Sequence, residues 1–303
     1  MSATQVHHRK MTKDQMIVNI VGYILIGIFA LVCVIPFYLI IVASFTDESE
    51  LIRNGYPIIP TVFSVQSYLL FLKNPVSIAK AYGTTIGVTA VGTAFAVFIA
   101  TMTGYVLSRK DFPWRNKFSF FFFFTTLFSG GLVPWYMLCV RYLHFKNSYI
   151  GILLPLMFSV WNMIIAKSFM NGIPSAITES AKIDGANDFV IFMKLILPLS
   201  KPLIATLSLF SALAYWNDWI NALYYVDDPV YYGIQNFLVR MMNNIQFLSS
   251  GNAAAMVGSG MASLPSTGIR MALAVVGVLP IVVIYPFLQK YLTKGVIMGA
   301  VKG

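Results

Sequence analysis

Residues 179–188 read ESAKIDGAND. They lie between ILLPLMFSVWNMIIA (152–166) and LILPLSKPLIATLSLFSALAYW (195–216). Two short polar helical turns, hinged at a glycine, thus interrupt a chain that is otherwise mostly apolar. Of its 303 residues 58% are hydrophobic and 11% charged, and the mean hydropathy is +0.75. Soluble domains carry about 25% charged residues. No soluble core absorbs this much apolar surface, so the expected solvent is lipid.

Working outward from the polar stretch, six apolar runs are long enough to cross a bilayer, at about 17–44, 82–107, 118–140, 149–171, 203–226 and 269–289. The fold expected is all-α, with a tail at 1–16 and a single membrane domain over 17–303. The first run is too long for a signal-peptide core and has no clean small-residue cleavage site. With the N-terminus placed inside, fourteen of the 21 Lys and Arg fall on the inner side and seven outside. That bias predicts both termini in the cytoplasm. It also accounts for the formal charge of +10 without nucleic acid, since anionic lipid attracts cations to the inner face. Cys33 and Cys139 lie inside apolar runs and read as packing residues. His7, His8 and His144 have no metal-ligand spacing, and no metal site is expected.

Within 174–198, Pro174 suits the first turn of a helix. Gly185 can take the left-handed conformation that ends one, and Asn187 or Asp188 can cap the next. The result is a helix–glycine–helix elbow between the fourth and fifth spans. An ordinary solvated loop is the plain alternative. Against it stand the length, since helix connections usually run about two to eight residues, and the apolar Ala181, Ile183 and Ala186, which suit a docking knob.

ESAKIDGA followed by ILP at 196–198 resembles the cytoplasmic coupling motif of ABC importer permeases, Glu-Ala-Ala, three residues, Gly, and later Ile-x-Leu-Pro. Ser180 replaces the usual alanine; Glu179, Ala181, Asp184, Gly185, Ala186, Leu197 and Pro198 match. FSGGLVPWYML (128–138), AYWNDW (214–219) and FLQKYLTKGVIMGAVKG (287–303) are similar to the carbohydrate-uptake branch, the maltose and complex-carbohydrate type. The resemblance implies a multi-pass permease subunit of the bacterial cytoplasmic membrane. It would pair with a homologous permease, dock on two ATPase subunits and receive solute from an extracellular binding protein. Glu179 would meet a basic group on the ATPase. The chain has no Gly-Lys dipeptide and hence no phosphate loop, so ATP and Mg would be used on the partner ATPase. SGGL at 129–132 reads as a helix break.

In the fifth span, Tyr215, Trp216, Asn217, Asp218 and Trp219 sit near the outer end. A charge at bilayer depth costs about 2.5–3.5 kcal/mol and usually faces a cavity or a partner. A carbohydrate pathway is one reading and an interfacial aromatic belt another. Spacing of three and four residues would put Tyr215, Asp218 and Trp219 on one helical face, with Trp216 and Asn217 pointing elsewhere. Trp161 and Asn162 are further pathway candidates. Gly92, Ala96, Ala100 and Gly104 recur every four residues and predict close helix packing, as do Gly83 and Gly87. A permease for another solute (a polyol or glycerol phosphate) and an ion-coupled secondary transporter using Asp218 are the alternatives. No nucleophile–base pair points to an enzyme.

Overall fold

The structure, a computed structural model, describes residues 12–249 and 267–300. His7, His8 and most of the expected tail lie outside the described residues. In chain order the helices are α1 Lys13–Ser44, α2 Glu48–Asn54, α3 Gln66–Phe71, α4 Pro75–Ser108, α5 Arg115–Leu127, α6 Leu132–Met137, α7 Tyr149–Met157, α8 Val160–Met170, α9 Ser175–Ile183, α10 Asp188–Ile191, α11 Lys201–Trp216, α12 Ile220–Tyr225, α13 Ile234–Ser249 and α14 Thr267–Ala300. Among the described residues there is no strand, only a single bridge, Thr46 to Phe63.

Three helices are long and apolar enough to cross a membrane: α1, α4 and the Thr267–Pro286 part of α14. Three further helix pairs pass the same length and hydropathy test only together, each bent at a short break as a broken span or a re-entrant loop, so no continuous helix runs through the expected third, fourth and fifth regions. The third breaks by 113° between α5 and α6, where Gly131 takes φ +86° and Pro134 follows. The fourth bends by 43° between α7 and α8. Ser159 caps the restart there, its hydroxyl accepting from the Asn162 amide at 3.3 Å. In the fifth the helix stops at Trp216, not 226, and an 84° turn at Ser200, ahead of the expected run, separates it from the helix ending at Leu199. Apolar run length alone hides such breaks, because Gly, Ser and Asn weigh little in a hydropathy average.

The described residues form two compact units. In the first (residues up to 71, with 267–276), α1 buries only Val42, Ala43 and Ser44. A helix apolar all round requires lipid or another chain around it. At its foot, Phe45 stacks on Phe63 at 5.6 Å and on Tyr68 at 4.9 Å. The Glu48 carboxylate accepts from the first amides of α14, Thr267 at 2.9 Å and Gly268 at 2.7 Å, where the helix dipole favours negative charge.

In the second unit (72–249 and 277–300), α4 is the central post. Its four-residue stripe does what the sequence predicts: Gly92, Ala96, Ala100 and Gly104 are all buried. A Cβ on Gly104 would come within 2.6 Å of the Ala166 Cβ, and one on Gly92 within 2.3 Å of the Tyr215 ring. These glycines let α8 and α11 lie directly on α4. At Gly83 and Gly87 nothing lies within 4 Å, so that face is unpartnered within the described chain. The phenylalanine run is outward-facing: Phe120, Phe121, Phe123 and Phe124 are all exposed.

Candidate functional site: the elbow and the broken fifth span

The elbow forms as its residues require. Ala181 is buried, while Ile183 is 86% exposed. Helix α9 ends in paired closing bonds: the Gly185 amide donates to the Lys182 carbonyl and the Ala186 amide to the Ala181 carbonyl, each at 3.0 Å. That pair defines a Schellman ending, and it needs a left-handed residue at its centre; Gly185 has φ +79°. Asn187 then caps α10, its Oδ1 accepting from the Val190 amide at 2.9 Å. Ile191, Phe192 and Ile196 are buried, and Phe192 stacks on Tyr105 of α4 at 5.6 Å. Residues Phe192–Ile196 form a π-helical turn, which relieves the lost amide and the ring crowding of Pro198. Leu197 joins the inner core and Pro198 is exposed. Glu179 and Asp184 are exposed.

A charge network that sequence reasoning missed pins this elbow. Arg109, just after α4, pairs with Asp111 and with Asp188 of α10, the latter at 2.5 Å. Lys182 of α9 reaches the same Asp111 at 2.8 Å. Hydrogen bonds from Arg109, then from Lys182, hold the Asp111 carboxyl well below the usual carboxylate range, and Asp111 raises the Arg109 guanidinium in return. Two helix ends are thereby tied to one short loop. The mixed charges of RKD at 109–111 were the only signal in the sequence, and nothing there says that they meet residues 182 and 188.

The fifth-span candidates separate. Tyr215 is buried on Gly92 and donates its hydroxyl hydrogen to the Leu153 carbonyl at 2.7 Å. Asn217 ends α11, its Nδ2 donating to the Leu213 carbonyl at 2.9 Å. Asp218 caps α12, accepting from the Asn221 amide at 3.1 Å and from Asn221 Nδ2 at 3.0 Å. The helix is therefore broken between Tyr215 and Trp219, and the expected shared face of Tyr215, Asp218 and Trp219 does not exist. Trp216 stands 6.5 Å from Tyr82 in an apolar cavity of about 550 Å³ that Pro280 and Tyr285 also line. Asn162 is buried and donates to the Ser211 hydroxyl at 3.2 Å. Trp161 and Trp219 remain exposed.

Residues 92–298 match the family described as "binding-protein-dependent transport system inner membrane component". The chain belongs to that family. Among its relatives, the polygalacturonan/rhamnogalacturonan transport system permease protein YtcP of Bacillus subtilis (strain 168) is 41% identical over 286 residues, 94% of this chain and 97% of its own. Protein LplC of the same organism is 34% identical over 299 residues, 99% of each chain. A chain in the crystal structure of a bacterial ABC transporter involved in the import of the acidic polysaccharide alginate superposes with a TM-score of 0.76. The two are 26% identical, and the match covers 93% of this chain and 99% of that one. The protein is thus a permease subunit of an ABC importer and not an enzyme; ATP hydrolysis resides on a separate chain.

Proposed function

We propose that this permease subunit carries an oligosaccharide across the cytoplasmic membrane, driven through the 174–198 elbow by ATPase subunits. The observation that carries the coupling part is Ile183, 86% exposed at the tip of an elbow whose Ala181 and Ala186 face the core. An exposed isoleucine on a rigidly capped turn is a knob for a groove on another protein. Glu179, Asp184 and Gly185 flank the knob on the exposed side. In this reading the chain crosses the membrane six times with both termini inside. It pairs with a homologous permease and two ATPase subunits that use ATP and Mg, and takes its solute from an extracellular binding protein.

The carbohydrate class is favoured by the named relatives, and uronate-containing oligosaccharides are the first to test. Trp161 and Trp219 are the exposed aromatics suited to stack on sugar rings, with Trp216, Asn217 and Asp218 shaping the break between them and the helix. The test is uptake of labelled oligogalacturonide and of a neutral maltodextrin into ATP-loaded vesicles holding the full complex. Uptake of either, dependent on ATP and the binding protein, is expected. Transport of neither, with an intact complex, would reject the carbohydrate assignment. In the same vesicles Ile183→Asp should lower retention of the ATPase subunits by about ten- to a hundredfold, the order expected when burial of one large aliphatic side chain, about 1.5–3 kcal/mol, is lost.

A further inference from the structure

Two adjoining cavities lie beside the elbow, and they differ in chemistry. The larger, about 820 Å³, is lined by Lys110, Arg115, Ser108, Asn171 and Thr178, and reaches Lys182 of the elbow. The smaller, about 340 Å³, is lined by Met102, Val106, Phe112, Phe189 and Phe192. They meet at Tyr105, Arg109 and Asp111, which line both. Arg109 and Lys182 are spent on Asp111 and Asp188, and the Lys117 ammonium sits over the Trp114 ring at 4.3 Å. No carboxylate among the described residues pairs with Lys110 or Arg115. The larger cavity thus presents Lys110 and Arg115, neither in an ion pair, the carboxylate of Glu179 on its α9 wall, and several hydroxyl and amide groups, next to a slot walled by aromatic and aliphatic side chains.

We propose that these paired cavities form a site for an anionic phospholipid, its phosphate against Lys110 and Arg115 and an acyl chain along Phe112, Phe189 and Val106. A phosphate needs cations and hydrogen-bond donors, which the larger cavity supplies. A soluble phosphate would have no use for the apolar slot beside it; an amphiphile fills both. The surroundings fit an interfacial depth: Trp114 is 54% exposed, and an exposed tryptophan beside basic residues is the usual headgroup-level arrangement. Because the same cavity is walled by Thr178, Glu179 and Lys182 of α9, a bound headgroup stiffens the elbow from behind and leaves Ile183 free to dock. The site makes coupling sensitive to the anionic lipid content of the membrane. It rests on the placement of the elbow at the cytoplasmic face.

The test uses the intact complex in vesicles of phosphatidylcholine alone, of phosphatidylcholine with phosphatidylglycerol, and of phosphatidylcholine with inorganic phosphate in the buffer. Phosphatidylglycerol retained on the complex is read by native mass spectrometry, together with ATPase stimulation by the binding protein. Each of K110Q and R115Q is expected to lower phosphatidylglycerol retention about fivefold, the value of one cation near an anionic surface. The charge-keeping pair K110R and R115K should retain it, and stimulation should need phosphatidylglycerol in the wild type. Unchanged retention in the K110Q/R115Q double variant overturns the proposal, as does equal loss in the charge-keeping pair. Displacement of phosphatidylglycerol by inorganic phosphate overturns the lipid assignment. Loss of the ATPase subunits from K110Q/R115Q in every vesicle would make the cavity an ATPase contact instead. A cysteine at Ile183 labelled from the cytoplasm shows the elbow correctly placed, so lipid failure with that labelling sinks this proposal alone.

Discussion

At the scale of single residues, Gly185 and Asp111 carry the elbow in different ways. An added Cβ at Gly185 meets nothing within 4 Å, so within this chain its requirement is conformational: φ +79° costs an ordinary L-residue about 1–2 kcal/mol. Gly185→Ala is therefore expected to unsettle the Schellman ending and weaken binding-protein-stimulated ATP hydrolysis. Gly185→Asn should do less harm, because asparagine tolerates the left-handed region. Equal loss in both would mean that the ATPase surface, not the backbone, excludes a side chain there. Asp111 acts through charge. Its folded pKa is depressed, so its contribution is fully present above the unfolded value, about 4, and is lost as pH falls through the lowered folded value. Between pH 5 and 8, roughly, protonation of Asp111 should not alter the elbow. Asp111→Asn should loosen it at every pH in that window, by about 0.2–1 kcal/mol per pair after screening, since Asp111 and Lys182 are half exposed. Hydrogen-exchange protection over 175–191, taken relative to the intrinsic base-catalysed rate, should be lower in the variant and flat with pH; wild-type protection in Asp111→Asn would remove the network from the account.

At the scale of elements, the packing of α4 was legible in the sequence and the course of α11 was not. A small residue at 92, 96, 100 and 104 has one physical use on an apolar helix, the close approach of another helix, and α8 and α11 take it. The elbow was equally legible, because glycine and asparagine at a polar interruption leave few backbone solutions. The fifth span misled because Trp216-Asn217-Asp218-Trp219 gives the same apolar average whether or not the helix continues. Only the side-chain caps that Asn217 and Asp218 make stop it. The Arg109–Asp111–Lys182–Asp188 network could not be read at all, since it joins residues some 70 positions apart (Asp111 and Lys182). The Gly92–Tyr215 contact supplies the test at this scale. Gly92→Ala should destabilise the second unit by about 1–3 kcal/mol through overpacking. Tyr215→Leu removes the ring and the bond to Leu153, and should cost stability alone yet recover most of the Gly92→Ala loss in the double variant. Thermal unfolding in detergent measures the cycle; strictly additive losses would show that the two side chains do not compete for one space.

For the whole molecule, the question is which surfaces share a compartment. Three helices are long and apolar enough to cross, and the bent pairs supply up to three more if each is one span. The proposed total of six would return the C-terminal end to the side of the N-terminus and put the elbow and the 109–117 segment together on that side. The 227–233 segment then falls on the other. In that proposed arrangement the positive-inside bias would put the first group, with Arg109, Lys110, Arg115, Lys117 and Lys182, in the cytoplasm. Single cysteines separate the arrangements. Ile183 and Val230 are both well exposed, at 86% and 58%, and both side chains are apolar, so a cysteine there removes no side-chain hydrogen bond or ion pair. In a chain with Cys33 and Cys139 replaced by serine and alanine, an impermeant thiol reagent applied outside whole cells should label Ile183→Cys poorly and Val230→Cys well, and broken cells should label both. If any bent pair were a re-entrant loop that returns to its starting face, every later segment would change sides. The 113° break at Gly131 lies before both reporters and would exchange their labelling. The pair Asp188–Leu199 and Lys201–Trp216, bent by 84°, lies between them, and a return there would put both on one face. Labelling of neither position from outside would therefore place the fault in the fifth span, exchanged labelling would place it upstream, in the third or fourth, and labelling of both would require a return in each.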